Sequence, residues 1–231
     1  MTIEKDKLPR HVGIIMDGNG RWAEARGKNR SFGHSHGSKN VDRIVSYAFK
    51  IGIESLTLYV FSAENWARPQ QEVDKLMALL KTYIKKFVKK AVKNKTRLKV
   101  VGDTTALSSE LQELIATDME KTSVYSDHIL NLAINYGGRQ EIVHAVNALI
   151  KNGEEITVDG ISKNLYTAIS GEPDLIIRTG GEFRLSNFLM FQGAYSELYF
   201  TDVLWPDFDE KELDKALSSF AKRNRRFGGV K

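Results

Sequence analysis

Acids, arginines and small hydrogen-bonding residues recur in this chain at one kind of place, just after a short apolar run. The first instance is His11-Val-Gly-Ile-Ile-Met-Asp-Gly-Asn-Gly-Arg-Trp22. Val12 to Met16 is too short for a helix of its own and shows no polar alternation, which predicts a strand buried on both faces. Asp17 then falls at the strand's carboxyl end, where open parallel sheets bind ligands. Gly18 and Gly20 let backbone N–H groups approach an anion closely, and a helix starting just after them adds its positive end. A lone acid beside those amides makes little sense for an anion alone. It makes sense if Asp17 holds Mg²⁺ and the metal holds a phosphate. The competing reading is a tight strand-to-helix turn with Asp17 as a helix cap.

The same pattern returns further along. Ser55 to Phe61 is a β-branched and aromatic run that stops at Ser62-Ala-Glu-Asn-Trp-Ala-Arg68; Ile129 to Ile134 runs into Asn135-Tyr-Gly-Gly-Arg139; Asp174 to Arg178 runs into Thr179-Gly-Gly-Glu-Phe-Arg-Leu-Ser-Asn187. Parallel strands point the same way, so these ends converge on one edge of a sheet. Pooled there are Asp17, Asn19, Arg21, Ser62, Asn65, Arg68, Arg139, Arg178, Arg184, Ser186 and, from a last short strand, Glu197. Arginine presents a planar donor fork matched to phosphate oxygens. The set predicts a site for multiply charged phosphate groups plus Mg²⁺. It contains no serine–histidine or histidine–carboxylate arrangement for acyl transfer, and the chain has no GxxxxGK[ST] loop.

The elements between these ends read as helices. Gly37 to Lys50 has Val41, Ile44, Val45, Ala48 and Phe49 on one side. Pro69 opens a long helix from about Gln71 to Lys93, with an apolar stripe of Val73, Leu76, Met77, Leu80, Ile84, Phe87, Val88 and Ala91. Its other side carries Lys81, Lys85, Lys86, Lys89, Lys90 and Lys93. Ser109 and Gln112 resemble a capping box for a helix to about Ser123. Further helices are expected from Arg139 to about Lys151, from Asp159 to Ile169 and from Asp207 to Arg223, with short strands at 98–101 and 198–200. Alternation of strands and helices predicts an α/β fold, a single domain over 1–231 with a central, mostly parallel sheet surrounded by helices.

With 231 residues, no cysteine and a net charge of +5, disulfide scaffolds and thiolate chemistry are excluded and an anionic partner is favoured. The polar opening residues and the lack of an apolar run of about 20 residues predict a cytoplasmic protein. No aromatic–basic interleaving of a nucleic-acid module is present, so no nucleic-acid partner is expected.

Six stretches taken together resemble one family. HVGIIMDGNGRW (His11–Trp22), FSAENWAR (Phe61–Arg68), NYGGR (Asn135–Arg139), RTGGEFRLSN (Arg178–Asn187), ELYFTDVLWPDF (Glu197–Phe208) and RRFGG (Arg225–Gly229) occur in order. The chain is similar over Leu8 to Gly229 to the cis-prenyltransferases, in particular the bacterial undecaprenyl diphosphate synthases. That resemblance implies Mg²⁺-dependent addition of isopentenyl diphosphate, repeatedly and with cis geometry, to an allylic diphosphate such as farnesyl diphosphate, by a homodimer. It implies that Asp17 and Glu197 are the Mg²⁺-linked acids. It places Gly18, Asn19, Gly20, Arg21, Trp22, Arg30, His34 and Arg68 at the allylic diphosphate, and Arg178, Arg184, Leu185 and Ser186 at the isopentenyl diphosphate. Arg226 would reach that second diphosphate across the dimer. Ser62, Ala63, Glu64, Asn65 and Trp66 would flank the reacting carbons, with Asn65 linked to proton removal. A neutral amide is a very poor base, so Asn65 is expected to orient substrate while a diphosphate oxygen takes the proton. The apolar sides of the helices at 37–50 and 71–93 would wall a tunnel for the growing chain. The lysine face at 81–95 is either a solvated surface or a contact with anionic lipid at the inner face of the membrane. A non-catalytic partner subunit of the same family would lack the key acid, which is present here.

Overall fold

A computed structural model of the chain describes residues 4–225. Six strands make one sheet: β1 (His11–Ile15), β2 (Ser55–Ser62), β3 (Thr96–Val101), β4 (His128–Tyr136), β5 (Leu175–Arg178) and β6 (Glu197–Phe200). Their order is β3-β4-β2-β1-β5-β6, and every neighbouring pair is parallel. All five residues of β1 are buried. Covered on both faces, the strand needs no polar alternation, which is why its sequence is an unbroken apolar run.

The helices are α1 (Asn19–Glu24), α2 (Arg30–Ile51), α3 (Gln70–Lys93), α4 (Ser109–Thr122), α5 (Gly138–Asn152), α6 (Val158–Asn164) and α7 (Glu210–Ala221). On one face of the sheet Ile14, Leu58, Leu132 and Ile177 share a core with Ile44 of α2, Ile84 of α3, Ile115 of α4 and Leu217 of α7. Ile15, Val101, Ala133 and Ile176 point the other way and meet Phe188, Leu189 and Tyr166. Strands added after β1 go first to its β2 side and then, from β5 onward, to its other side. The reversal falls between β1 and β5, so Asp17 and Arg178, at the carboxyl ends of these two strands, stand at the topological switch point.

Three local expectations are corrected. The second helix starts at Arg30 and not at Gly37, because the Asn29 side chain accepts a hydrogen bond from the Phe32 N–H (3.0 Å) and caps it. Gly33 and Gly37 weaken the helical signal in the sequence without ending the helix. The capping box at Ser109 does not form: Ser108 precedes the helix, and the Gln112 amide reaches back instead to the Leu107 carbonyl at 2.7 Å. The helix expected over 159–169 stops at Asn164, with a separate 3₁₀ turn at Ala168–Ser170. Among the described residues no helix is long and apolar enough to cross a membrane.

Candidate active site

Asp17 follows β1 and Arg178 ends β5, and their side chains meet. Arg178 Nη2 donates to Asp17 Oδ2 at 2.8 Å, while its Nη1 donates to the Arg184 carbonyl (2.6 Å) and to Ser186 Oγ (2.8 Å). Arg178 is only 4% exposed, so burial of its charge requires these partners. Asp17 Oδ1 accepts from the Gly18 N–H (2.6 Å) and lies 3.4 Å from Arg21 Nη2. Partial burial pushes the Asp17 carboxyl up, and the Arg178 hydrogen bond and charge, aided by Gly18 and Arg21, outweigh it; the net shift is downward. Asp17 is therefore a carboxylate near neutral pH. It does not cap α1, whose N-cap is Gly18 with no side-chain cap bond.

The glycines of the turn make room for close approach. Gly18 sits at φ 104°, and an added Cβ would lie 2.8 Å from Leu204 Cδ2. The Arg30 guanidinium lies flat on Gly20: a Cβ there would fall 2.5 Å from Arg30 Cζ. Asn19 donates to the Met16 carbonyl at 3.2 Å and leaves its buried Oδ1 without a hydrogen-bond partner.

Arg30, His34 and Arg68 converge on Glu72 of α3, which the sequence did not single out. Glu72 Oε1 lies 2.9 Å from Arg68 Nη1, 3.8 Å from Arg30 Nε and 3.9 Å from His34 Nε2. Burial, followed by the charge of Arg68, lowers the His34 pKa to about 4, so the imidazole is neutral at pH 7. Its Nε2 is buried without a hydrogen-bond partner. One carboxylate thus binds Arg68 and stands close to Arg30 and the neutral His34 beside the Asp17 turn. The signal available in sequence was the spacing of Arg68 and Glu72, four residues apart at the start of a helix.

At the end of β2, Asn65 Oδ1 accepts from the Ser62 N–H at 3.1 Å, which fixes the short turn Ala63–Ala67. The Trp66 indole donates to Asn135 Oδ1 at 2.8 Å and stands edge-on to Phe61. Asn187 ties the neighbouring loop down: its amide donates to Glu64 Oε1 (2.9 Å) and Gln140 Oε1 (3.0 Å). Partial burial raises the Glu64 carboxyl, and the Asn187 hydrogen bond with weaker contributions brings it net below its usual value. Ser186, Asn187 and Leu189 all have left-handed backbone, an arrangement that costs free energy for non-glycine residues and clusters at functional sites. Tyr59 joins the two halves through contacts at 3.2 Å with the carbonyls of Tyr136 and Ser186. Burial, then the charge of Glu64, pushes its phenol up.

These groups surround the mouth of a cavity of about 410 Å³. Asp17, Asn19, His34, Ser62, Asn65, Arg68, Arg178, Arg184 and Ser186 line it, all expected from sequence. Behind them the wall becomes apolar, with Val41 of α2, Leu76, Leu80, Ile84 and Phe87 of α3, and Leu132 of β4. Gly18, Gly20, Arg21, Arg30, Ala63, Glu64, Trp66 and Leu185 stand around the mouth without lining the cavity. Trp22 turns away from it: the buried indole donates to Asp207 Oδ1 (2.7 Å), packs on His36 and carries Arg26 over its face at 4.0 Å. Trp205 and Tyr59 line the cavity and were missed. Arg226 lies outside the described residues.

Glu197 is the exception to convergence. It opens β6, in register with Leu175 of β5 and thus with Val12 of β1. That is the amino edge of the sheet, five residues back from Asp17, or about 16 Å along the strand direction. There it pairs with Arg223 at 2.5 Å. The expectation that Glu197 joins Asp17 at the carboxyl edge is corrected for a single chain.

Among the described residues no three His, Asp or Glu side chains cluster as a metal cage. The donor set at Asp17 fits Mg²⁺ nonetheless. This ion keeps several waters and is held by one or two carboxylates plus substrate phosphates, with no need of an all-protein cage.

The match to known proteins covers nearly the whole chain. It is 54% identical to an isoprenyl transferase of Fusobacterium nucleatum over 97% of both sequences. It is 49% identical to the ditrans,polycis-undecaprenyl-diphosphate synthase, (2E,6E)-farnesyl-diphosphate specific, of Escherichia coli strain K12, over 97% of this chain and 93% of that protein. The crystal structure of lavandulyl diphosphate synthase from Lavandula x intermedia with dimethylallyl diphosphate superposes with a TM-score of 0.91 at 36% identity, covering 96% of this chain and 99% of that one. The Prenyltransf family model, described as putative undecaprenyl diphosphate synthase, matches residues 15–228, and the chain belongs to that family.

Proposed function

We propose that this protein condenses isopentenyl diphosphate repeatedly onto an allylic diphosphate, with farnesyl diphosphate as starter, to make a long polyprenyl diphosphate such as undecaprenyl diphosphate, a lipid carrier precursor for cell-wall synthesis. The observation that carries this reading is the joined Asp17–Arg178 pair at the mouth of a cavity whose walls turn apolar away from it. Charge is held at one end and hydrocarbon at the other.

Arg21, Arg30, His34 and Arg68, with the amides of the Gly18–Gly20 turn, hold the allylic diphosphate. Arg178, Arg184 and Ser186 hold the isopentenyl diphosphate. Asp17, between the two groups, holds Mg²⁺. When bound, the metal neutralises charge that builds on the departing diphosphate. The arginines add fixed positive charge to the same transition state. The allylic C–O bond breaks to a resonance-stabilised cation; the isopentenyl double bond attacks it, a C–C bond forms, and a proton leaves the adjacent carbon. Asn65, already oriented by the Ser62 N–H, positions the isopentenyl group, and a diphosphate oxygen takes the proton. An Asn65→Asp enzyme is expected to lose about 10-fold or more in single-addition rate, because a second negative charge enters the site. Unchanged rates and unchanged cis geometry would remove Asn65 from catalysis.

Purified protein with Mg²⁺, farnesyl diphosphate and labelled isopentenyl diphosphate tests the whole reading, with products sized by chromatography. A ladder of lengthening products is expected; no elongation overturns it.

We also infer a homodimer, since the place of Glu197 leaves it useful to catalysis only in a second chain's site. The α3 lysine row supports contact with anionic lipid at the inner face of the membrane. Lys85, Lys89 and Lys93 recur every four residues on one exposed face. Binding to vesicles containing anionic phospholipid is expected to fall at least 10-fold when the three become glutamine, and undiminished binding returns the face to plain solvated surface.

A further inference from the structure

His11 opens β1, at the opposite end of the strand from Asp17, and is only 1% exposed. Burial lowers its pKa to about 4, so the imidazole is neutral at pH 7. A neutral ring has one donor nitrogen and one acceptor nitrogen. Nδ1 lies 2.8 Å from the Gly171 carbonyl, which can only accept, so Nδ1 carries the proton. Nε2 must then accept, and it lies 2.8 Å from Thr57 Oγ1 of β2. The Thr57 hydroxyl, having donated there, accepts from Asn131 Nδ2 of β4 at 2.9 Å. The same Asn131 nitrogen donates to Ser170 Oγ at 2.8 Å. The bonds run in one direction only. They cross three strands and end twice on one turn, at Ser170 and at Gly171.

That turn leads into β5. The strand has four residues, all buried. Register is strongly specified where one face is apolar and the other polar; an apolar strand covered on both faces leaves it open. A slip of one residue would carry Arg178 about 3.3 Å along β1 and turn its side chain to the other face of the sheet. Polar ties must supply the register, and they gather where β5 begins. The Asp174 N–H donates to the His11 carbonyl at 2.9 Å, and Asp174 Oδ2 accepts from the N–H groups of Arg10 (2.8 Å) and His11 (3.2 Å). The imidazole adds the tie to Gly171, and Thr57 holds the ring from its other side.

We propose that His11 is a positioning residue for the isopentenyl diphosphate site: its single tautomer ties the turn at 168–171 to β1 and so sets where β5 places Arg178 beside Asp17. This rests on the elongation activity proposed above. The allylic side does not depend on the tie. Gly18, Asn19 and Gly20 follow β1 directly, Arg30 and His34 belong to α2, and Arg68 follows β2.

Two substitutions divide the functions of the ring. In His11→Asn the amide nitrogen can stand where Nδ1 stands and donate to Gly171, while the acceptor for Thr57 is lost. In His11→Gln the longer side chain meets Thr57 in place of Nε2, while the Gly171 bond is lost. In single-addition kinetics His11→Gln is expected to raise the KM for isopentenyl diphosphate about 10-fold and leave the KM for farnesyl diphosphate unchanged. Both constants are expected near wild type in His11→Asn. Thr57→Val is expected to match His11→Asn in kinetics and to unfold at lower temperature, since it strands the Asn131 amide and Nε2. A packing role alone would lower the folded fraction in all three variants without moving either KM. That result overturns the role of His11, as does an equal rise in KM in both His11 variants. The wild-type imidazole ¹⁵N shifts give a test that needs no variant: protonated Nδ1 with bare Nε2 is expected, and protonated Nε2 overturns the tie to Gly171. A wild type that adds no isopentenyl diphosphate overturns the elongation reading, and this inference with it, whatever the tautomer.

Discussion

Replacing Asp17 with alanine is expected to lower kcat/KM for chain elongation by roughly 10²- to 10³-fold while the protein stays folded. Three features set this expectation. Among the described residues Asp17 is the one carboxylate that lines the cavity, while the neighbouring Glu64 and Glu72 are held by Asn187 and Arg68. Its charge is held by Arg178, Arg21 and the Gly18 amide with its pKa net below the usual carboxylate value, so it is ionised and able to bind Mg²⁺ across the neutral range. Its carboxylate oxygens also hold Arg178, which in turn fixes Ser186 and the Arg184 backbone. The last point separates two effects. Loss of the carboxylate leaves a buried guanidinium short of one partner, a stability cost of about 1–3 kcal/mol. That cost falls on wild-type-like folding, whereas the rate loss requires loss of the metal anchor. Asp17→Asn separates them: it keeps the size and an acceptor for Arg178, and is expected to recover stability without recovering rate. Single-turnover rates and thermal unfolding of both variants check this. The pH dependence has a fixed sign. Because the folded pKa is depressed, the stability that Asp17 contributes is present above the unfolded carboxyl value and lost as pH falls through the folded one. An Asp17→Ala enzyme with elongation rates within a few-fold of wild type would remove the metal anchor from this position.

The sheet and most of the site were legible because parallel strands bring their carboxyl ends to one edge, so each apolar run that ends in polar residues marks that edge. Asp17, Ser62, Asn65, Arg178 and Ser186 follow their runs, and all reach the cavity. Glu197 was pooled with them although it precedes its run, Leu198-Tyr-Phe200; its order in the chain already assigned it to the amino edge. Glu72 was invisible for a different reason. An acid in the first turn of a helix, four residues from an arginine, is an ordinary surface pair, and only the approach of α2 brings Arg30 and His34 onto it. The early start of α2 was hidden by Gly33 and Gly37, whose low helix propensity is overridden by the Asn29 cap and by packing.

Two inactive variants are expected to make an active enzyme when mixed. If Glu197 serves the site of a second chain, Asp17→Ala and Glu197→Ala each abolish activity in their own homodimers. In a mixed dimer one site then combines both defects, and the other combines an intact Asp17 with the intact Glu197 of the partner subunit. Random pairing of equal amounts yields half mixed dimers with one good site each, so about a quarter of wild-type activity should return. The physical basis is the register of the sheet. Glu197 is level with Val12, and within one chain about 16 Å of strand direction separate it from Asp17. No side-chain motion closes that gap, whereas two-fold symmetry can bring the amino edge of one sheet to the mouth of another. Its present partner, Arg223, is an exposed arginine beyond α7, so Glu197 can give up that pair for a cation at little cost. The mixture must be made by co-expression or joint refolding, so that chains exchange. Glu197→Ala homodimers with full activity would remove Glu197 from the metal site. Inactive homodimers that stay inactive after mixing would place its effect within its own chain.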